Sequence, residues 1–265
     1  MDIVTHTLSG IAVGTVIVCF SKSSFKSKLG IIFIGGFGAA LPDFDVIILW
    51  SGFDGNIGQK FNLQSGKEIY FSKFWYSHHG FLHSAFAAFL IGFLIITSGY
   101  LIRSRFKNLS KLGLLNYLKS RYLILLSFIS GFIIHLLEDM PTPHCTWGGV
   151  NFLWPSKIYT GGTGEIWWWN NYDIFLIVIT IIALNTIFML LLNNHSRKIV
   201  TSIFIIGFIL IMYQIKSRPV DFNYVGHTVE YYNLERKSKT VQKDILGNYL
   251  YEIMVKLDNK IPLNF

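Results

Sequence analysis

Charge is scarce in this sequence: Asp, Glu, Lys and Arg make up 14% of the 265 residues, against about 25% in an ordinary soluble domain. That scarcity argues against a soluble globular protein. Cysteine is nearly missing as well, and Cys19 and Cys145 alone can build neither a disulfide scaffold nor a four-cysteine zinc site. The low apolar content of disordered chains is not found, since 52% of the residues are hydrophobic and the mean hydropathy is +0.45. No basic stretch leads into the first apolar run; Asp2 stands there instead, so the run is expected to be retained and not cleaved as a secretory signal. Neither internal repeats nor low-complexity tracts are evident. The class that remains is an all-α polytopic membrane protein.

What the chain does have is long apolar runs. Six of them, 3–20, 29–50, 80–102, 122–140, 172–192 and 199–215, approach the ~20 residues needed to cross ~30 Å of hydrocarbon. We therefore expect a bundle of about six transmembrane helices over residues 1–215 and a small soluble appendage over 216–265. In that tail, Tyr224 to Tyr232 has strand-like character. Val241 to Leu257 suits an amphipathic helix with Leu246, Leu250, Ile253 and Leu257 on one face, interrupted by Gly247.

The net charge of +8 is explained by its distribution. If all six runs cross, loops 21–28, 103–121 and 193–198 share one side, with 11 Lys and Arg and no Asp or Glu. Short-loop basic residues belong in the cytoplasm, so the excess requires no nucleic-acid partner. The chain is expected to be an integral protein of the bacterial cytoplasmic (inner) membrane.

Ionisable groups within membrane segments cost about 2.5–3.5 kcal/mol each at a helix centre, and this chain has several. His6 lies in the first run, Asp43 and Asp45 in the second, His78, His79 and His83 open the third, and His135, Glu138 and Asp139 close the fourth. Counted from the basic end of each run, His6, Asp43, His83 and His135 lie 14 to 20 residues away, or about 21–30 Å at 1.5 Å per residue. Four separate runs thus bring His and Asp to a similar depth, near the non-cytoplasmic surface. His135 and Asp139 are spaced i,i+4 on one helix face, as a pair of metal ligands or a plain salt bridge would be. Pro42 is expected to kink or break its helix and free an acidic turn at Asp43-Phe44-Asp45. His79 and His83 are also i,i+4, yet either His78 or His79 can turn inward if the helix starts near Gly80. Glu138 points about 100° away from Asp139 and suits a supporting or interfacial acid. His144, in a proline-rich turn, is a weak candidate; His195 and His227 are read as unrelated to the cluster.

The runs Met1-Asp2-Ile3-Val4-Thr5-His6-Thr7-Leu8-Ser9-Gly10, Leu41-Pro42-Asp43-Phe44-Asp45, His78-His79-Gly80-Phe81-Leu82-His83-Ser84, His135-Leu136-Leu137-Glu138-Asp139 and Gly149-Val150-Asn151-Phe152-Leu153-Trp154-Pro155 together resemble a known family. It is that of the inner-membrane-associated metal-dependent hydrolases, whose family name also mentions LexA. The resemblance spans residue 1 to about residue 157, with the motifs in the family's order. One departure stands out: the family's third motif usually reads His-Arg-Gly, where this chain has His78-His79-Gly80. That favours His78 as the equivalent residue, whereas helical spacing favours His79. More loosely, the chain resembles the all-helical zinc-dependent phospholipase C group.

The expected activity is metal-dependent hydrolysis at the non-cytoplasmic membrane boundary. His6, Asp43, Asp45, His78 or His79, His83, His135 and Asp139 would hold one or two divalent ions, with Zn expected and Mn or Fe as alternatives. Phosphoester hydrolysis of a lipid or lipid-linked substrate suits such a site best, with Asp45 or Glu138 as general base and amide hydrolysis as the alternative. The loop from Pro141 to Asn171 carries Trp147, Trp154 and Trp167-Trp168-Trp169, read either as an aromatic belt or as a lid hinged on Gly148, Gly149, Gly161, Gly162 and Gly164. Two rival functions remain: a non-catalytic protein with a structural metal, and an ion or proton transporter. The inner halves of the four runs hold no ionisable residue, which disfavours a conduit.

Overall fold

Close helix crossings, made possible by small residues, set the architecture. The computed structural model describes all residues except 23, 105–109, 170, 193–195, 226–230 and 261–265. Its main elements are α1 (Ile3–Val18), α2 (Phe25–Ala40), a 3-10 stretch (Pro42–Leu49), the short α3 (Gln59–Phe61) and α4 (Gly66–Phe71), α5 (Ala85–Ser104), α6 (Lys111–Asp139), α7 (Tyr172–Leu192), α8 (Ser196–Lys216) and α9 (Tyr231–Asp258). There is no extended strand among the described residues. The chain is an all-α polytopic membrane protein.

α1 packs against α2, α6, α7 and α8. With no hydrophobic drive between helices in lipid, close backbone approach at small residues supplies the contact. A methyl group added at Gly10 or Gly131 would overlap the carbonyl oxygen of Gly35, so α1, α2 and α6 meet there nearly backbone to backbone. Two polar ties fasten neighbouring helices: Ser127 Oγ of α6 donates to the Ile31 carbonyl of α2 over 2.7 Å, and Asn185 Nδ2 of α7 donates to Thr15 Oγ1 of α1 over 2.8 Å. Outside the crossing, Phe128, Phe132 and Leu136 of α6 pack on Ala87 and Ala88 of α5.

Where hydropathy leads one to expect about six similar spans, the described residues form four full-length apolar helices, α5 to α8, a bent pair and the shorter α1. α2 and the 3-10 stretch meet at 47° where Pro42 follows Leu41. α1 has 16 residues, about 24 Å at 1.5 Å per residue, less than the ~30 Å hydrocarbon thickness. It is a short apolar helix enclosed by its neighbours. Its start is fixed by Asp2, whose Oδ1 accepts the Thr5 N–H over 2.9 Å.

The tail is helical. Tyr231 and Tyr232 begin α9 where strand character was expected, and residues 226–230 of that segment lie outside the described residues. α9 is broken at Gly247, whose φ of 71° and ψ of 164° are not helical. Its packed side is offset from the expected one: Val241, Gln242 and Met254 are buried, while Leu250, Ile253 and Leu257 are exposed. The reason is anchorage by polar groups, because Gln242 Oε1 accepts the Tyr172 N–H over 2.8 Å and Tyr172 Oη donates to Asp258 Oδ2 over 2.5 Å.

Gly131→Val, which forces the α2–α6 crossing apart, is expected to cost about 1–3 kcal/mol and to lower the thermal midpoint of the detergent-solubilised protein by several degrees. Gly30→Ala, where an added methyl meets nothing within 4 Å, is expected to leave the midpoint unchanged or slightly raised.

Candidate metal centre

Each polar side chain reaches the centre as the terminal step of a packed stripe. On α6, Ser127, Gly131, His135 and Asp139 follow one another at i,i+4 along one face. Gly14, Gly10 and His6 do the same on α1. Ile31, Gly35 and Ala39 do so on α2, with Asp43 just past the bend. The same close crossing therefore draws three sets of ligand atoms together at one end of the bundle.

The third motif arrives differently. Its helix begins at Ala85 rather than near Gly80, so His78 and His79 lie in an irregular segment and His83 ends a 3-10 turn. His79 takes a left-handed backbone conformation with φ of 59°. Helical i,i+4 spacing therefore does not relate His79 to His83. The loop nonetheless brings one ring nitrogen each of His78, His79 and His83 within 4.8 Å of one another. His78 and His79 both reach the cluster.

Four of the five imidazoles turn Nδ1 to an acceptor. His135 Nδ1 donates to the Ala39 carbonyl over 2.7 Å, and His79 Nδ1 to the Gly149 carbonyl over 2.8 Å. His6 Nδ1 lies 2.8 Å from Glu138 Oε2, and His78 Nδ1 lies 2.8 Å from Asp45 Oδ1. His83 Nδ1 stands 3.4 Å from the other Asp45 oxygen, without a hydrogen bond to it. An acceptor at Nδ1 puts the proton on that nitrogen and leaves Nε2 with a free lone pair, the arrangement that orients metal-ligating histidines.

Those lone pairs meet other acceptors. His135 Nε2 is 3.4 Å from His83 Nε2, 3.0 Å from Asp139 Oδ2 and 3.7 Å from Asp43 Oδ1. His83 Nε2 is 3.8 Å from both Asp43 Oδ1 and Asp139 Oδ2. His6 Nε2, 3.1 Å from Asp139 Oδ1, has no hydrogen-bond partner. His6, His83 and His135 are completely buried, so bulk solvent does not screen this crowding of acceptors. Positive charge does, supplied either by protons on the rings or by a cation among them. Two nitrogens bound tetrahedrally to one zinc at ~2.0–2.1 Å stand about 3.4 Å apart, which matches the His83–His135 spacing. Two ligand triplets could hold an ion here, Asp43/His83/His135 and His6/His135/Asp139, besides the three histidines of the loop. The donor set fits a divalent metal.

Two of the predicted carboxylates sit behind the rings. Asp45 faces the Nδ1 atoms of His78 and His83, and Glu138 that of His6. Neither lines the adjoining cavity of about 870 Å³, whereas Asp43, Asp139, His78 and His79 do. The amino group of Met1 also reaches the cluster, 2.7 Å from Asp139 Oδ1.

The loop after α6 covers the centre. Trp147 is buried, stacks on the His79 ring at 4.6 Å and donates from Nε1 to the Tyr70 carbonyl over 2.8 Å. Burial under this ring and the adjacent imidazoles of His78 and His83 push the His79 pKa well below the ordinary histidine value. Trp167 is buried too, against Phe222 and Tyr224. These two rings are packing residues and not a belt facing lipid. The five loop glycines have φ between 70° and 106°. A methyl group at Gly149 would strike the Thr160 carbonyl, and one at Gly161 would strike Met140. They serve close packing of a fixed cap more than hinge motion.

His144 is exposed and apart from the cluster, and the Cys145 thiol is buried, which pushes its pKa up. His195 and His227 lie outside the described residues. The sequence carries no sign of the Ala39 and Gly149 carbonyls, which act through main-chain oxygens. The glycines one and two turns from His6 and His135 were a readable signal, because they mark the faces along which ligand-bearing helices touch.

Removing a ligand differs from removing its support. His135→Ala and Asp43→Asn are expected to abolish stoichiometric Zn²⁺ retention, measured by elemental analysis after dialysis. Glu138→Gln, which touches the His6 ring from behind, is expected to weaken affinity by about 10–100-fold in a chelator competition.

Against known proteins, no curated protein and no solved structure matches the chain. Residues 1–220 match the model of the YdjM inner membrane protein. The matched segment contains every histidine and carboxylate of the cluster and ends before α9. Together with its apolar helices, this match makes the chain an integral inner membrane protein that belongs to the YdjM inner membrane protein family.

Proposed function

We propose that the protein is a membrane-bound, metal-dependent hydrolase acting on a phosphoester of a lipid or lipid-linked substrate. The observation that carries this reading is a group of buried imidazoles at the edge of a cavity: four turn Nδ1 to acceptors, and the Nε2 atoms of His6, His83 and His135 converge on Asp43 and Asp139. Zn²⁺ is the preferred ion, with Mn²⁺ or Fe²⁺ as alternatives, and the two ligand triplets that share His135 accommodate one or two ions. When bound, such an ion neutralises charge on phosphoryl oxygens and makes water acidic enough to supply a nucleophile near neutral pH.

The chain's own groups divide the remaining work. Glu138 and Asp45 hold imidazole protons and thereby orient His6 and His78. Asp43 and Asp139 are the carboxylates that reach the cavity. Either is placed to accept a proton from water in that cavity, which adds them to Asp45 and Glu138 as candidates for the general base. His79 and Trp147 form a wall that keeps bulk water from the reacting group. Leu49, Val46, Ile3 and Phe175 line the same cavity and suit an apolar tail. The site lies at the end of the bundle away from Lys28, Arg103 and Arg121, which supports a non-cytoplasmic orientation by the basic-loop rule. The membrane unit of residues 1–215 carries every one of these groups.

A metal that only fastens helices is the second reading, favoured by the burial of the cluster; protonated rings in salt bridges are the third. Transport has less support, since the ionisable groups do not continue along α1, α2, α5 and α6 toward the basic end. The deciding experiment is elemental analysis alongside turnover on a phosphodiester panel. The hydrolase reading expects about one or two metal ions per chain and at least a 100-fold loss of turnover in Asp43→Asn. Stoichiometric metal without turnover, combined with a lower thermal midpoint in His135→Ala, selects the fastening role. A metal-free protein overturns both.

A further inference from the structure

α9 lies outside the segment shared with the family, yet it walls the cavity that the metal-centre residues open into. Asp43, His78, His79 and Asp139 line that cavity from the bundle side; Glu235, Lys239, Met254, Leu257 and Asp258 line it from α9. Gly247 makes this possible. Its φ of 71° breaks the helix, and an added methyl would meet nothing within 4 Å, so backbone conformation and not space calls for glycine there. Both arms of α9 consequently reach one cavity. The wall is held by buried polar anchors, Gln242 on the Tyr172 N–H and Asp258 on the Tyr172 hydroxyl, independently of the metal centre.

The character of the wall indicates what it meets. Lys239 pairs with Glu235 at 3.1 Å, one turn apart, with both side chains part exposed. Such a pair is worth no more than about 1 kcal/mol and yields readily to an anionic ligand. Beside it, Met254 and Leu257 are apolar. The outer side of α9 carries exposed Ile245, Tyr249, Leu250 and Ile253, the composition of a helix lying at a bilayer surface.

We infer that α9 is the specificity wall of the site: Lys239 receives an anionic oxygen of the substrate head group, and Met254 and Leu257 receive its apolar part, so this chain selects anionic amphiphiles over small phosphoesters. The assignment deepens the hydrolase reading and rests on it for the reaction, but its selectivity is measurable as binding. The test uses the full-length protein, loaded with Zn²⁺, in maltoside micelles. Dodecyl phosphate and inorganic phosphate are titrated by calorimetry into the wild type, Lys239→Glu and Leu257→Trp. Expected is at least a tenfold weaker binding of dodecyl phosphate in each variant, with zinc content within twofold of wild type. Inorganic phosphate is expected to weaken alongside in Lys239→Glu and to stay within twofold of wild type in Leu257→Trp. Unchanged dodecyl phosphate binding in both variants overturns the inference. So does a parallel loss of zinc in either variant, or of inorganic phosphate binding in Leu257→Trp, which would mean that α9 supports the centre instead of selecting the ligand. Lack of turnover in the wild type would remove the hydrolase reading and leave this binding comparison intact.

Discussion

The constraint on which the structure depends is the cost of keeping carboxylates and imidazoles out of water inside an apolar bundle. A buried, unpaired charge is strongly disfavoured, so each such group must find a partner on another helix. Partners on different helices can meet only if the backbones come close, and in lipid that closeness is achieved with small residues. Gly10, Gly35 and Gly131 at one crossing and His6, Asp43 and His135 just beyond it are two parts of one arrangement. The packing serves the polar cluster, and the cluster gives the packing its register.

Orientation completes what proximity begins. Main-chain oxygens at Ala39 and Gly149 and the carboxylates of Glu138 and Asp45 hold the outer nitrogens of four rings. The inner nitrogens of His6 and His135 are left facing Asp139, and that of His135 faces Asp43 as well. Two of the four rings are held by backbone carbonyls, which carry no net charge and fix the ring's direction.

Much of this was legible in the residues. The membrane class followed from low charge and long apolar runs, and the common depth of His6, Asp43, His83 and His135 followed from counting along each run. Pro42 marked the bend. Other features escaped for identifiable reasons. Hydropathy measures apolar length and cannot tell a short enclosed helix such as α1 from a full span. The left-handed backbone of His79 depends on contacts with Trp147 and Gly149, which are distant in sequence. On α9, the apolar periodicity at Leu246, Leu250, Ile253 and Leu257 was real, but the hydrogen bonds that Gln242 and Asp258 accept from Tyr172 decided which side packs inward.

The shortness of α1 has a consequence for the depth of the polar cluster. At about 24 Å, estimated from 1.5 Å per residue, α1 is shorter than α6 with its 29 residues, and His6 lies in its first turn. An enclosed helix of that length need not reach both faces of a ~30 Å hydrocarbon layer. It has only to reach the level of its partners, and the Gly10–Gly35–Gly131 crossing sets one level for His6, Asp43 and His135 together.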